Sequence, residues 1–499
     1  MAGAPRRSTV ASMQTARLTP LDATFLELED ADMTAHMHIG AILVFHPPTD
    51  GGPPSLEELH ARMAERLPAL PLYRCRLSEP RPGALHWPHW VEDDDFDLAR
   101  HVKRAAPPAP SGREELYAWA ADYWSKRLDR AYPLWEMVLL TGLEGGCWAL
   151  VTKTHHCMVD GVGSVDAAHL LFDLEPEPHS APPAAEPLEL NGSGRGLVAR
   201  LPGAIVHGAR AGIDAAVHPS KLVEALDRSR AMLELIVRDE VVPAPTTSLN
   251  SAIGVHRRFD ALRVPLTDVK LIKDRLGGTV NDVVLAASSA GLRELLLARG
   301  ENPPTDGLRA MVPVNVRSAD QAGELGNRIT SLFVNLPVAD GNPLQRFVHA
   351  TDRAEALKSS EQGLGGETLV RLTSLAPPIL HSVLARSLFA SRLFNVTITN
   401  VPGPQQRLYA CGSPLSEVLP LVPLAADHSV GIAVVSYDGD LFFGLIADRD
   451  GVADLDVLSH GIARAIAELL ELARPISAGR RRPGGGPQRT RRSPGRHAR

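Results

Sequence analysis

Apolar and polar positions change period several times along the chain, and each change marks an element. Residues 39–45 (IGAILVF) form a short apolar run of strand formers and predict a strand. Residues 55–67 (SLEELHARMAERL) repeat their apolar positions at three- and four-residue spacing and predict a helix. Ser55 is placed to cap it, and Glu58 completes a capping box. Residues 113–128 predict a second amphipathic helix, and residues 148–156 (WALVTKTHH) another strand. Val165, Ala168, His169 and Phe172 then return to helical spacing.

The pattern breaks at residues 175–196, a Pro/Gly/Ser-rich stretch that reads as an exposed linker. Leu222, Leu226, Leu233 and Ile236 mark a helical segment beyond it, and residues 241–250 interrupt the pattern again. A second region then alternates helices (266–278, 281–300) with strands (309–316, 394–401, 430–448), the last carrying an Asp-Gly of hairpin type at Asp438-Gly439. These shifts divide the chain into a disordered leader (1–17), a first domain (18–178), a linker with crossover helices (179–245), a second domain (246–475) and an Arg-rich disordered tail (476–499). The mixed order implies an α/β (α+β) class with sizeable sheets in both halves.

At 499 residues the chain is too long for one ordinary core. With 44% hydrophobic and 22% charged residues it is not globally disordered. The net charge of −6 is uneven: residues 480–499 hold eight arginines and no acid, and removing those eight positive charges leaves −14 on residues 1–479. An acidic body argues against a nucleic-acid partner. The four cysteines have neither metal-ligand nor disulfide-scaffold spacing, so a reduced, cytoplasmic setting is expected. The first residues show no apolar signal-peptide core, and no run approaches 18 apolar residues.

Candidate chemistry concentrates in residues 154–161, THHCMVDG. Neighbours on a strand face opposite ways, so His155 and His156 would not converge on one metal ion, and no metal is expected. Asp160 or Ser164 could merely cap the helix that follows. The functional alternative is a general base, because imidazole titrates near neutral pH and can take a proton from an alcohol attacking a carbonyl. A strand end and a tight turn at Asp160-Gly161 would hold such a ring. No nucleophile elbow is present. Cys157 follows the histidines but by alternation points away from a shared site.

The pattern HHCMVDG resembles the HHxxxDG signature of CoA-dependent acyltransferases. Taken with PLDATFL (20–26), FDLARHV (96–102), LDRAYPLWEM (128–137), LNSAIGVHRRF (249–259), TVNDVVLAA (279–287), PVNVR (313–317), LGNRI (325–329) and TNVPGP (399–404), the chain resembles the bacterial wax ester synthase/diacylglycerol acyltransferases from about 18 to 472. The resemblance implies two chloramphenicol-acetyltransferase-like domains with the active site at their interface. It implies His156 as base, a supporting His155, Asp160 as a structural residue and Gly161 at the turn. Acyl-CoA would be the co-substrate, with no resident cofactor, and diacylglycerol or a long-chain alcohol the acceptor. Peripheral contact with the inner membrane or lipid droplets is implied as well. Another hydroxyl acceptor, or a catalytically silent acyl-chain-binding protein, stays open. The chain departs from the wider superfamily in lacking a DFGWG-type motif.

The other motifs admit two readings each. Asn281 and Asp282 support the site or, with Thr279, simply cap a helix. Thr399 and Asn400 bind substrate or the oxyanion, or close a strand. Pro133, Leu134 and Trp135 line an acyl channel or shape the packing.

Overall fold

The computed structural model describes residues 18–48, 51–79, 87–108, 111–159, 167–168, 170–177, 243–315, 329–359 and 393–474. The leader, the crossover segment around 222–236 and the Arg-rich tail lie outside them, as do Asp160 and Gly161. In the first half the order is α1 (Pro20–Ala31), β1 (His38–Phe45), α2 (Leu56–Arg66), β2 (Cys75–Leu77), β3 (Trp90–Glu92), α3 (Leu98–His101), β4 (Val102–Ala105), α4 (Arg113–Trp124), β5 (Trp135–Leu140) and β6 (Trp148–His155). The second half runs β7 (Arg257–Pro265), α5 (Leu266–Leu276), α6 (Val280–Ala298), β8 (Leu308–Asn315), β9 (Ile329–Leu336), α7 (Pro343–Ser359), β10 (Val396–Pro402), β11 (Tyr409–Ala410), β12 (Ser413–Leu421), β13 (Val430–Tyr437), β14 (Asp440–Asp448) and α8 (Leu455–Ala473).

Local chemistry accounts for many of the boundaries. Ser55 and Glu58 form the expected capping box, with the Glu58 amide donating to Ser55 Oγ (3.1 Å) and the Ser55 amide to Glu58 Oε2 (2.7 Å). Thr279 and Asp282 do the same for α6, and Thr19 and Asp22 for α1. Asp438 and Gly439 both take positive φ (43° and 87°), as a two-residue hairpin turn between β13 and β14 requires. The helix expected over 113–128 stops at Trp124. There the Ser125 hydroxyl donates back to the Ala121 carbonyl (2.7 Å), and Leu128 N–H is drawn to His38 Nε2 (3.4 Å).

Two six-stranded mixed sheets result. The second has the order β7-β14-β13-β10-β8-β9 and is covered by α5, α6 and α8. The buried stripe of α8 runs Leu455, Leu458, Ile462, Ile466, Leu469, and α8 crosses α6 closely: a Cβ on Gly291 would sit 2.7 Å from the Leu458 carbonyl oxygen. The first sheet has the order β11-β12-β1-β6-β5-β4. Two of its strands therefore come from the second half of the chain. β12 pairs antiparallel with β1, Gly40 opposite Leu421. On its way it passes against β14, where a Cβ on Gly444 would fall 1.8 Å from the Pro420 carbonyl oxygen. The donated strand ties the halves into one framework and closes one side of the space between the sheets.

Candidate active site

β6 ends at His155, where Met158 N–H closes a turn onto the His155 carbonyl at 2.9 Å. The His156 amide still donates to Met37 O, just before β1 (2.8 Å), and the His155 amide to Leu134 O (2.9 Å). Both histidines are thus pinned by backbone on either side, and strand alternation sends their rings to opposite faces.

His156 lines a cavity of about 280 Å³ between the two sheets. Its walls come from β1, β5 and β6 of the first half and from β10, β12 and β13 of the second, and most are apolar, such as Leu43, Leu171, Val418 and Leu421. Phe25 of α1 stacks on the imidazole, with ring centroids 4.0 Å apart and planes 16° apart. Burial pushes the ring down to about 4, although contact with its own backbone carbonyl acts the other way. The imidazole is therefore neutral at pH 7, the form a base must have.

His155 is fully buried behind the sheet and does not reach the cavity. Its Nδ1 accepts from the Cys157 amide (3.1 Å), which leaves the Nε2 proton facing Glu29 Oε2 at 3.5 Å. Glu29 is 1% exposed and also meets Arg127 (2.9 Å), Arg130 (2.7 Å) and His38 (3.5 Å). Burial would raise its carboxyl, but the His155 N–H, the Arg127 guanidinium and His38 outweigh that and hold it well below the usual carboxylate range. Phe25 and Glu29 are i and i+4 on α1, so one helix face supports both histidines. Sequence patterning did not single out either residue; the available signal was this spacing followed by the arginine pair within RLDR.

Other expected residues take various places. Thr399 and Asn400 line the cavity across from β6. Asn281 does not line it. It sits behind, accepting from Asn400 Nδ2 at 3.4 Å. Asp282 caps α6, its Oδ2 accepting from the Thr279 amide and hydroxyl (2.8 Å each), the capping role that the Thr279-Asp282 spacing offered beside site support. Of Pro133, Leu134 and Trp135, only Trp135 faces the cavity; Leu134 is fully buried in the core and Pro133 faces a neighbouring cleft with Arg100 and Tyr132. Cys157 is buried, and burial pushes its thiol far above the usual range, so it is no nucleophile. Among the described residues no group of three or more His, Cys, Asp or Glu converges as a metal site requires.

One prediction concerns pH. With His156 titrating near 4, kcat/KM should stay flat from pH 8 down to about 5.5, without the inflection near 6.5 of an exposed histidine. Burial also depresses His36, His38, His155 and His428. Their unfolded forms take up protons first, so stability present above pH 6.5 is lost as the pH falls toward their folded values. The profile is therefore measured with circular dichroism at each pH. A rate inflection near 6.5 in folded protein would show that the ring is hydrated.

Residues 18–284 match the wax ester synthase/diacylglycerol acyltransferase catalytic domain, and residues 325–470 match the WS/DGAT C-terminal domain. The chain is 37% identical over 476 residues to a Mycobacterium tuberculosis protein named "Probable diacyglycerol O-acyltransferase tgs1", spanning 93% of this chain and 98% of that one. The solved wax ester synthase/diacylglycerol acyltransferase from Marinobacter aquaeolei VT8 superposes with a TM-score of 0.66 at 27% identity, covering 92% of this chain and 99% of that one. A starter condensation domain of rhizomide synthetase superposes at 0.55 with 14% identity, covering 92% and 94%, a likeness of fold alone. With its two-lobed mixed α/β fold, this chain belongs to the wax ester synthase/diacylglycerol acyltransferase family of acyltransferases.

Proposed function

We propose that the protein moves a long-chain acyl group from acyl-CoA to the hydroxyl of a diacylglycerol or a long-chain alcohol, with His156 as general base. The observation that carries this reading is the apolar cavity between the halves with a neutral imidazole on its wall. The names of the relatives supply the acceptors. His156 takes the hydroxyl proton as the oxygen attacks the thioester carbonyl. Thr399 and Asn400, on the opposite wall, stabilise the oxyanion. The C–S bond then breaks, the ester leaves, and His156 returns the proton to the CoA thiolate. His155 holds the turn, and no covalent acyl-enzyme forms.

No described helix is long and apolar enough to cross a membrane. Lipid substrates would then be collected at a surface, so we assign the protein to peripheral contact with the inner membrane face or lipid droplets in the cytoplasm. The test is thiol release from palmitoyl-CoA by purified protein with hexadecanol or dioleoylglycerol, the lipid products being separated by chromatography. Release that depends on the acceptor and yields wax ester or triacylglycerol is expected. Acceptor-independent thiol release, or none from folded protein, would reject the reading.

A further inference from the structure

The cavity holds two hydroxyls that the transfer step leaves unused. We propose that Tyr73 and Thr154 form a polar subsite that selects the acceptor, favouring one with an ester oxygen close to its reacting hydroxyl, as in a diacylglycerol, over a plain alkyl alcohol. The inference rests on the acyl-transfer reading and names what sets acceptor preference within the same site.

Thr154 lies two residues before His156, so both side chains face the cavity about 7 Å apart along the chain. Tyr73 reaches the same wall from the turn Pro71–Arg74, and its hydroxyl lies beside the Thr154 side chain. Trp135 fixes the pair. It sits opposite Thr154 in the β5–β6 register, its indole N–H donates to the Tyr73 carbonyl (2.8 Å), and its ring lies 5.3 Å from the Tyr73 ring. Burial pushes the Tyr73 phenol up to about 12, so it remains a neutral hydroxyl.

The other polar groups on the walls of the first half are committed. Thr152 Oγ1 accepts from the Ala41 amide (2.9 Å) and donates to its carbonyl (3.3 Å). Glu136 takes Lys103 (3.3 Å), Lys153 (3.5 Å) and the Tyr123 hydroxyl (3.1 Å). On the second half, Tyr437 Oη accepts from the Leu408 amide and donates to Leu415 O. At most one of the two hydroxyl protons can serve the neighbouring hydroxyl. The structure shows no acceptor for the second among the described residues. It is a donor in an apolar cavity, beside the base. A diacylglycerol places an ester oxygen within a few bonds of its free hydroxyl and can accept that proton. An alkyl alcohol offers only methylenes there and leaves the donor unpaired, which disfavours its transition state.

The test is a competition. Purified protein receives palmitoyl-CoA with equal dioleoylglycerol and hexadecanol, and the ratio of triacylglycerol to wax ester is read, a quantity independent of how much enzyme is active. Tyr73→Phe and Thr154→Val each remove one hydroxyl at nearly constant volume; Thr154→Ser keeps it. The ratio is expected to fall about three- to tenfold in Tyr73→Phe and Thr154→Val and to stay at the parent value in Thr154→Ser. An unchanged ratio in Tyr73→Phe would overturn the proposal. So would equal loss of both products at constant ratio, which is what a purely structural role would give. A parent protein that makes neither ester would defeat the acyl-transfer reading itself.

Discussion

Replacing His156 with alanine is expected to slow acceptor-dependent thiol release by about 10²–10⁴-fold, the usual contribution of a positioned acid–base group. The expected loss is in kcat, because the ring acts on a proton in flight and the cavity that binds the chains is lined by other residues. The fold should survive. The side chain borders a cavity, and the hydrogen bond that anchors the residue to Met37 is made by backbone. Circular dichroism and thiol release, measured on the same preparation, separate the outcomes. A folded variant with parental activity would place the base elsewhere. His155→Ala provides the contrast, since that ring faces Glu29 and not the cavity.

Glu29→Ala is expected to cost on the order of 3 kcal/mol of stability, with activity falling in parallel. The carboxylate is buried and meets two guanidiniums and two histidines. Removing it leaves Arg127 and Arg130 without their shared counter-charge. Those side chains remain 24% and 30% exposed, which keeps the cost at the lower end for a broken buried pair. Glu29→Gln keeps the shape and loses the charge, so it should destabilise less. Urea unfolding with the slope m held constant gives the difference. A loss below about 0.5 kcal/mol in the alanine variant would show that solvent satisfies the arginines and that His155 is held by its Cys157 contact alone.

Several elements were legible from residue order because their causes are local. Capping boxes at Ser55–Glu58 and Thr279–Asp282, and the Asp-Gly turn at Asp438-Gly439, need only residues within three or four positions of one another. Strand alternation put His155 and His156 on opposite faces before any contact was known, while their separate roles came from the family resemblance. The THHC stretch also carried its chemistry openly, since no nearby cysteine or histidine pair offered it a metal.

What the sequence determined by itself was therefore local: the caps, the Asp438-Gly439 turn, the strand that leads into the two histidines, and the set of motifs that marks the family. What only the tertiary structure decided was long-range pairing. That β12 leaves the second half to pair with β1 could not be read, because its nine residues carry no label for a partner some 370 positions away. The same holds for Glu29 behind His155, Phe25 on His156 and Tyr73 beside Thr154, which meet only after α1, β6 and the 71–74 turn have packed. Desolvation, which lowers His156 to about 4, likewise belongs to no residue alone; it appears when two sheets close over the ring and exclude water.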